Sequence, residues 1–93
     1  MKTKNLKQLE RHFKGIANHH RLDILLLISA NPGINLDTIA AELKGNLKTI
    51  AEHTRRLFIA GLINKKYHGH SVEHSLSPYG KTISKFIKSF SIS

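Results

Sequence analysis

Only three residues, Lys44-Gly45-Asn46, separate two stretches of helical periodicity, and a chain that must reverse so quickly brings the two helices into contact. The first stretch has a clear start: Asn35 is a capping residue, Asp37 places an anion in the first turn, and Ile34 can staple onto Ile39. It ends at Leu43. The second stretch is capped by Asn46, runs from Leu47 to about Ala60 and stops at Gly61, a residue favoured just past a helix end. Ile50, Thr54 and Leu57, spaced +4 and +3, form its face for burial. Lys48, Thr49, Ala51, Glu52 and Arg55 are left facing outward, mostly in the first two turns.

The remaining elements follow from the same periodicities. Leu6, Leu9, Phe13 and Ile16 mark an amphipathic first helix whose opposite side carries Lys4, Lys7, Arg11 and Lys14. A second helix starts near Asn18 and runs through Leu22, Ile24, Leu25, Leu27 and Ile28. It is apolar nearly all round, as a central core helix should be, and Asn31-Pro32-Gly33 stops it. Leu62 to Tyr67 and Ser71 to Leu76 read as strands around His68-Gly69-His70. Ser77-Pro78 opens a last helix with Ile83, Phe86, Ile87 and Phe90 on one face and Lys81, Lys85 and Lys88 on another; Ser91-Ile92-Ser93 is expected to fray. With no repeat, low-complexity tract or linker, residues 1–93 read as one domain, mainly α with a small β-hairpin.

Charge narrows the function. Fifteen Lys and Arg against six Asp and Glu give +9, which points to a polyanion, nucleic acid before anionic membrane. The excess is unevenly placed: residues 36–75 hold six basic against four acidic groups, so any specificity rests on a few side chains around Lys48. The longest apolar run, Leu22 to Ala30, contains Asp23 and is far short of the ~20 residues of a spanning helix. No signal peptide is evident, and a soluble, cytoplasmic protein is expected. Without cysteine there is no disulfide framework, thiolate zinc site or cysteine nucleophile. No nucleophile elbow, phosphate loop or positioned carboxylate pair is present, so the chain reads as a non-enzyme without a cofactor.

A helix-turn-helix reads DNA by laying its second helix in the major groove. Lys48 suits a guanine edge, Thr49 a base edge or thymine methyl, and Ala51 lets the backbone come close. Arg55 and Arg56 lie later, where phosphate contact is expected, and Asn46 starts a helix N-terminus suited to a phosphate. Lys65, Lys66, His68 and His70 crowd the hairpin tip, where a basic ribbon can flank a duplex. These residues together favour binding of double-stranded DNA over a merely solvated bundle helix.

Residues 17–80 resemble the ArsR family of winged helix-turn-helix repressors. Ala17-Asn18-His19-His20-Arg21-Leu22-Asp23-Ile24-Leu25 is similar to the family's A-D-P-x-R-L-x-I-L entry to its second helix. Ile39-Ala40-Ala41-Glu42-Leu43, then Lys48-Thr49-Ile50-Ala51-Glu52-His53 and Leu57, follow L-A-x-x-L … S-T-V-S-x-H-L-x-x-L. Ala60-Gly61-Leu62-Ile63 matches the A-G-L-V that enters the wing, and Leu76-Ser77-Pro78-Tyr79-Gly80-Lys81 resembles the L-T-x-x-G-R opening of a final helix. The resemblance implies a homodimeric transcriptional regulator with a recognition helix at Leu47 to Ala60 and a wing at Ile63 to Leu76; two reading heads related by a twofold axis would meet a near-palindromic site, with repression expected ahead of activation. It also implies a dimer seam on the first and last helices, through Leu6, Leu9, Phe13, Ile83, Phe86, Ile87 and Phe90. Gly45 replaces the usual apolar turn residue, Thr54 stands where Leu is common, Glu52 puts an acid on the groove side, and Phe58-Ile59 replace polar residues. Glu52 and Phe58-Ile59 keep open an alternative, a winged-helix protein-interaction module without specific DNA binding. A membrane-surface role for the first helix ranks below both, because its apolar face is the expected seam.

Many ArsR-like proteins sense metals. The thiolate site on the third helix is excluded, because Leu36-Asp37-Thr38 lacks cysteine, and Pro78 to Phe90 has no histidine or carboxylate for the site on the last helix. Two clusters remain, His12 with His19 and His20, and His68, His70 and His74 beside Glu73; solvated or packed histidines are the expectation for each. His53 matches a family histidine and is expected to pack or to lie near phosphate. No metal is assigned, and any small-molecule effector is left open.

Overall fold

A computed structural model describes residues 5–90. In chain order it contains α1 (Leu6–Ile16), α2 (His19–Ala30), α3 (Leu36–Leu43), α4 (Leu47–Ile59), β1 (Ile63–His68), β2 (Ser71–Leu76) and α5 (Pro78–Phe90). Lys4 and the segment 91–93, expected to fray, lie outside the described residues. The first strand starts at Ile63 rather than Leu62, because Ala60, Gly61 and Leu62 are spent turning out of α4.

Asparagine starts each of the first four helices. The side-chain carbonyls of Asn5, Asn18, Asn35 and Asn46 accept backbone N–H groups of the first turns, satisfying donors that a helix cannot satisfy itself. Ser77 does the same for α5 and more. Its Oγ accepts from Gly80 N–H at 3.0 Å and donates to the Gly61 carbonyl at 2.6 Å, joining the start of α5 to the exit from α4. The approach is so close that a Cβ on Gly80 would meet the Leu62 carbonyl oxygen.

α2 is the hub. Ile24, Leu25 and Ile28 are fully buried, and the helix touches α1, α4, α5 and β2. Ile39 from α3, Ile50 and Leu57 from α4, Leu62 and Ile63 at the wing entry and Ile83 from α5 complete one core. The tight turn works through an unexpected division of labour. Lys44, not Gly45, takes the left-handed conformation (φ 53°) that ends α3. Gly45 instead leaves the room that Ile50 fills, since a Cβ there would lie 2.8 Å from two Ile50 side-chain carbons.

β1 and β2 pair antiparallel, with Ile63 opposite Leu76 and His68 opposite Ser71. The turn is two residues, Gly69-His70, and Gly69 (φ 60°) holds the first position, which a type II′ hairpin turn gives to glycine. A bridge between Ile34 and His74 adds a third segment to the wing. His74 N–H donates to the Ile34 carbonyl at 3.0 Å and Gly33 N–H to the His74 carbonyl at 2.8 Å, so the wing root is anchored to the loop ahead of α3.

Candidate nucleic-acid interface

Helix α4 sinks Ile50, Thr54 and Leu57 into the core and turns Lys48, Thr49, Glu52, Arg55 and Arg56 outward, with Ala51 half-buried among them. Thr54, where an apolar residue is usual, costs the core no unpaired group, because its hydroxyl donates to the Ile50 carbonyl at 2.8 Å. The Asn46 side chain accepts from Lys48 N–H at 2.9 Å and Thr49 N–H at 3.2 Å. Those donors are satisfied, so an anion at this helix end competes with the helix's own cap.

The outward face is not a simple basic stripe. Glu52 receives Arg55 Nε–H on Oε1 and Arg55 Nη2–H on Oε2, each at 3.0 Å, and Arg56 Nε–H on Oε2 at 3.0 Å. The hydrogen bonds from Arg55 and then Arg56 hold its carboxyl down at about 2. One acid therefore organises both arginines of the helix.

The wing presents its cations on two different faces, because side chains alternate along a strand. Lys65 leans back toward α4, its ammonium 4.7 Å from the centre of the Phe58 ring, which gives exposed Phe58 a partner through a cation–π contact. Lys66 points the other way and is exposed. His68 also faces outward, with Nε2 3.8 Å from Glu73, and His70 sits in the turn. The three wing histidines do not converge: His74 is buried at the root, where its Nδ1–H donates to the Ile34 carbonyl at 3.0 Å. Burial holds its imidazole below the usual range, the Ile34 carbonyl opposes this, and Lys65 reinforces it.

Behind α4 lies a junction whose organiser is Arg21. Its Nε–H donates to the Gly15 carbonyl at 2.7 Å, tying α2 to the end of α1, while Nη1 lies 3.5 Å from His53 Nδ1 on α4. His53 stacks on His20 (5.4 Å between ring centres), and His20 meets the His19 ring at a tilt (4.0 Å). Burial first, then Arg21 and His20, hold His53 below its ordinary value. Arg21 stands in the motif that carries the family resemblance, but its spacing along the chain gives no hint of this role. His12 does not join the other two N-terminal histidines. It is buried, donates Nδ1–H to the Ala60 carbonyl and meets the Tyr79 ring at a tilt, 4.8 Å between centres. Among the described residues no three His, Cys, Asp or Glu side chains come together as a metal site.

The terminal helices keep apolar side chains outside. Leu6 is 70% exposed, Phe13 45%, Phe86 49% and Phe90 67%, and the last two rings meet edge-to-face at 4.9 Å. Leu9 is half-buried; Ile83 belongs to the protomer's own core, and Ile87 packs against that core. Among the described residues no helix is long and apolar enough to cross a membrane.

Helix, tight turn, exposed second helix and anchored hairpin together define a winged helix-turn-helix fold. Solved structures share it closely. HlyU from Vibrio cholerae superposes with a TM-score of 0.83 at 23% identity, over 94% of this chain and 95% of that chain. The homodimeric winged helix-turn-helix DNA-binding domain of a possible ArsR-family transcriptional regulator from Mycobacterium bovis gives 0.82 at 22%, over 96% and 88%. Streptococcus pneumoniae FabT, solved in complex with DNA, gives 0.73 at 17%, over 92% of this chain and 66% of that one. No protein-family model matches the sequence, and no curated protein matches it closely.

Proposed function

We propose that this chain is a sequence-specific DNA-binding transcriptional regulator, a repressor that occupies a near-palindromic duplex as a homodimer and carries out no catalysis. The observation that carries this reading is the outward face of α4. Lys48, Thr49, Glu52, Arg55 and Arg56 share it, and the helix is clamped from behind by the core and by Arg21. A helix presented so, beside a hairpin bearing exposed Lys66, His68 and His70, has the shape and charge for a major groove and its flanking phosphates. The homodimeric and DNA-bound structures of the same fold support the partners proposed. The exposed phenylalanines of α1 and α5 supply a seam for the second copy. A cytoplasmic location follows from such a role, and Lys65 over Phe58 removes part of the ground for a protein-interaction module.

The test is fluorescence anisotropy of the full chain with operator-like and random duplexes across a salt series. Binding should weaken steeply with salt, because phosphate contacts release counterions. An absence of binding at low salt, or binding indifferent to salt, rejects the proposal.

A further inference from the structure

The acid at the centre of a surface meant for a polyanion is the least expected feature of the molecule. Lys48, Glu52 and Arg55 stand at i, i+4 and i+7 on α4, so Glu52 enters any groove together with the cations on either side of it. Both its oxygens are occupied, by Arg55 in a two-pronged pair and by Arg56 through Nε. We propose that Glu52 is a specificity-determining residue, holding Arg55 and Arg56 away from phosphates until a cytosine amino group takes their place on its carboxylate. The assignment rests on the DNA-binding reading above.

Exposed ion pairs of this kind are weak, so phosphates can displace the carboxylate from the guanidiniums at little cost. Once displaced, Glu52 is an anion facing a polyanion, and it needs a donor. In the major groove the base-edge donors are the cytosine N4 and adenine N6 amino groups; guanine and thymine offer acceptors. Adenine sets an N7 acceptor beside its amino group, which repels the second carboxylate oxygen. Cytosine sets only a C–H there. On random sequence a displaced Glu52 is left unpaired beside phosphates, and that cost opposes release of the arginines; a site with cytosine under Glu52 removes it.

Selection of duplexes from a random pool with the wild-type chain and with Glu52→Gln tests this directly, followed by anisotropy on the selected and random duplexes. Wild type should select cytosine at one position of each half-site. Glu52→Gln should tighten random-duplex binding on the order of tenfold at moderate salt, with a steeper salt slope. It should lower the ratio of specific to random affinity on the order of tenfold and shift the selected base toward adenine, which an amide pairs with in two-pronged fashion. Adding Arg55→Ala should return the slope toward wild type. In the free protein, the Arg55 and Arg56 Nε–H resonances should move in Glu52→Gln. Wild-type binding with an unchanged selected base and unchanged ratio in the variant overturns the role of Glu52 while leaving the DNA reading intact. Unmoved arginine resonances overturn the clamp itself. If wild type fails to bind any duplex, the DNA reading falls and takes this role with it.

Discussion

Single buried polar residues set the tolerances of this small core. His74 is the clearest case, because it pins the wing root to Ile34 and its imidazole is held below the usual range. A depressed folded value means that the unfolded chain takes up the proton first as pH falls. Stability is therefore fully present above about pH 6.5 and is lost as pH drops toward the folded value, by no more than about 1.4 kcal/mol per pH unit for one proton. Thermal melts of the wild type between pH 7 and 5.5, a window in which ordinary carboxylates stay charged, should show this loss. His74→Gln should melt lower at neutral pH but lose less on acidification. His53, depressed by burial and by Arg21, contributes with the same sign and remains in both proteins, so the difference isolates His74. An identical pH dependence in the two proteins would remove His74 from the account. Packing was the sequence expectation for His53, whereas the inward, wing-anchoring place of His74 was not legible. The wing histidines read as a cluster by their spacing, whereas strand alternation and the bridge to Ile34 send His74 inward and the others out.

At the level of elements the sequence was far more informative, because caps, breakers and the 3.6-residue period act locally. Asn18, Asn35 and Asn46 each cap the helix they were expected to start. Ile50, Thr54 and Leu57 are the buried face of α4. What local rules leave out is where neighbouring side chains go once two elements meet. Lys65 and Lys66 look equivalent in sequence, yet one is committed to Phe58 and the other is free of that contact and exposed. If α4 enters a major groove as proposed, its outward positions and the wing should then respond differently. Lys48→Ala and Thr49→Ala should lower affinity for a selected duplex more than for random duplex, by about 1–3 kcal/mol for a base contact. Lys66→Ala should weaken both alike and reduce the salt slope by about one, as loss of one phosphate contact requires. Anisotropy against the two duplexes separates these patterns. Equal losses from Lys48→Ala and Lys66→Ala on both duplexes would show that α4 supplies charge without reading bases.

The whole molecule raises a question of covered surface. A pair of protomers related by a twofold axis, as proposed, would have to set its two reading helices about one helical turn, ~34 Å, apart. The side chains that would make the pair are at the ends of the chain. Ile83 and Ile87 face the protomer's own core, whereas Leu6, Phe13, Phe86 and Phe90 do not find cover within it. Sequence periodicity had put Ile83, Ile87 and the phenylalanines of α5 on one face; the protomer divides that face between its own core and the outside. Burying each exposed phenylalanine in a partner is worth about 1.5–3 kcal/mol before the cost of association. Phe86→Ser combined with Phe90→Ser should therefore halve the mass measured by light scattering. The melting of the dilute protomer should change little, since neither ring is buried there. Affinity for a two-half-site duplex should fall by about 10²–10⁴-fold toward that for a single half-site, because the second head no longer arrives at a high effective concentration. A variant that keeps the wild-type mass would move the seam away from the end of α5. A wild type that is monomeric yet binds the two-half-site duplex no better than one half-site would leave the exposed phenylalanines without the role proposed for them.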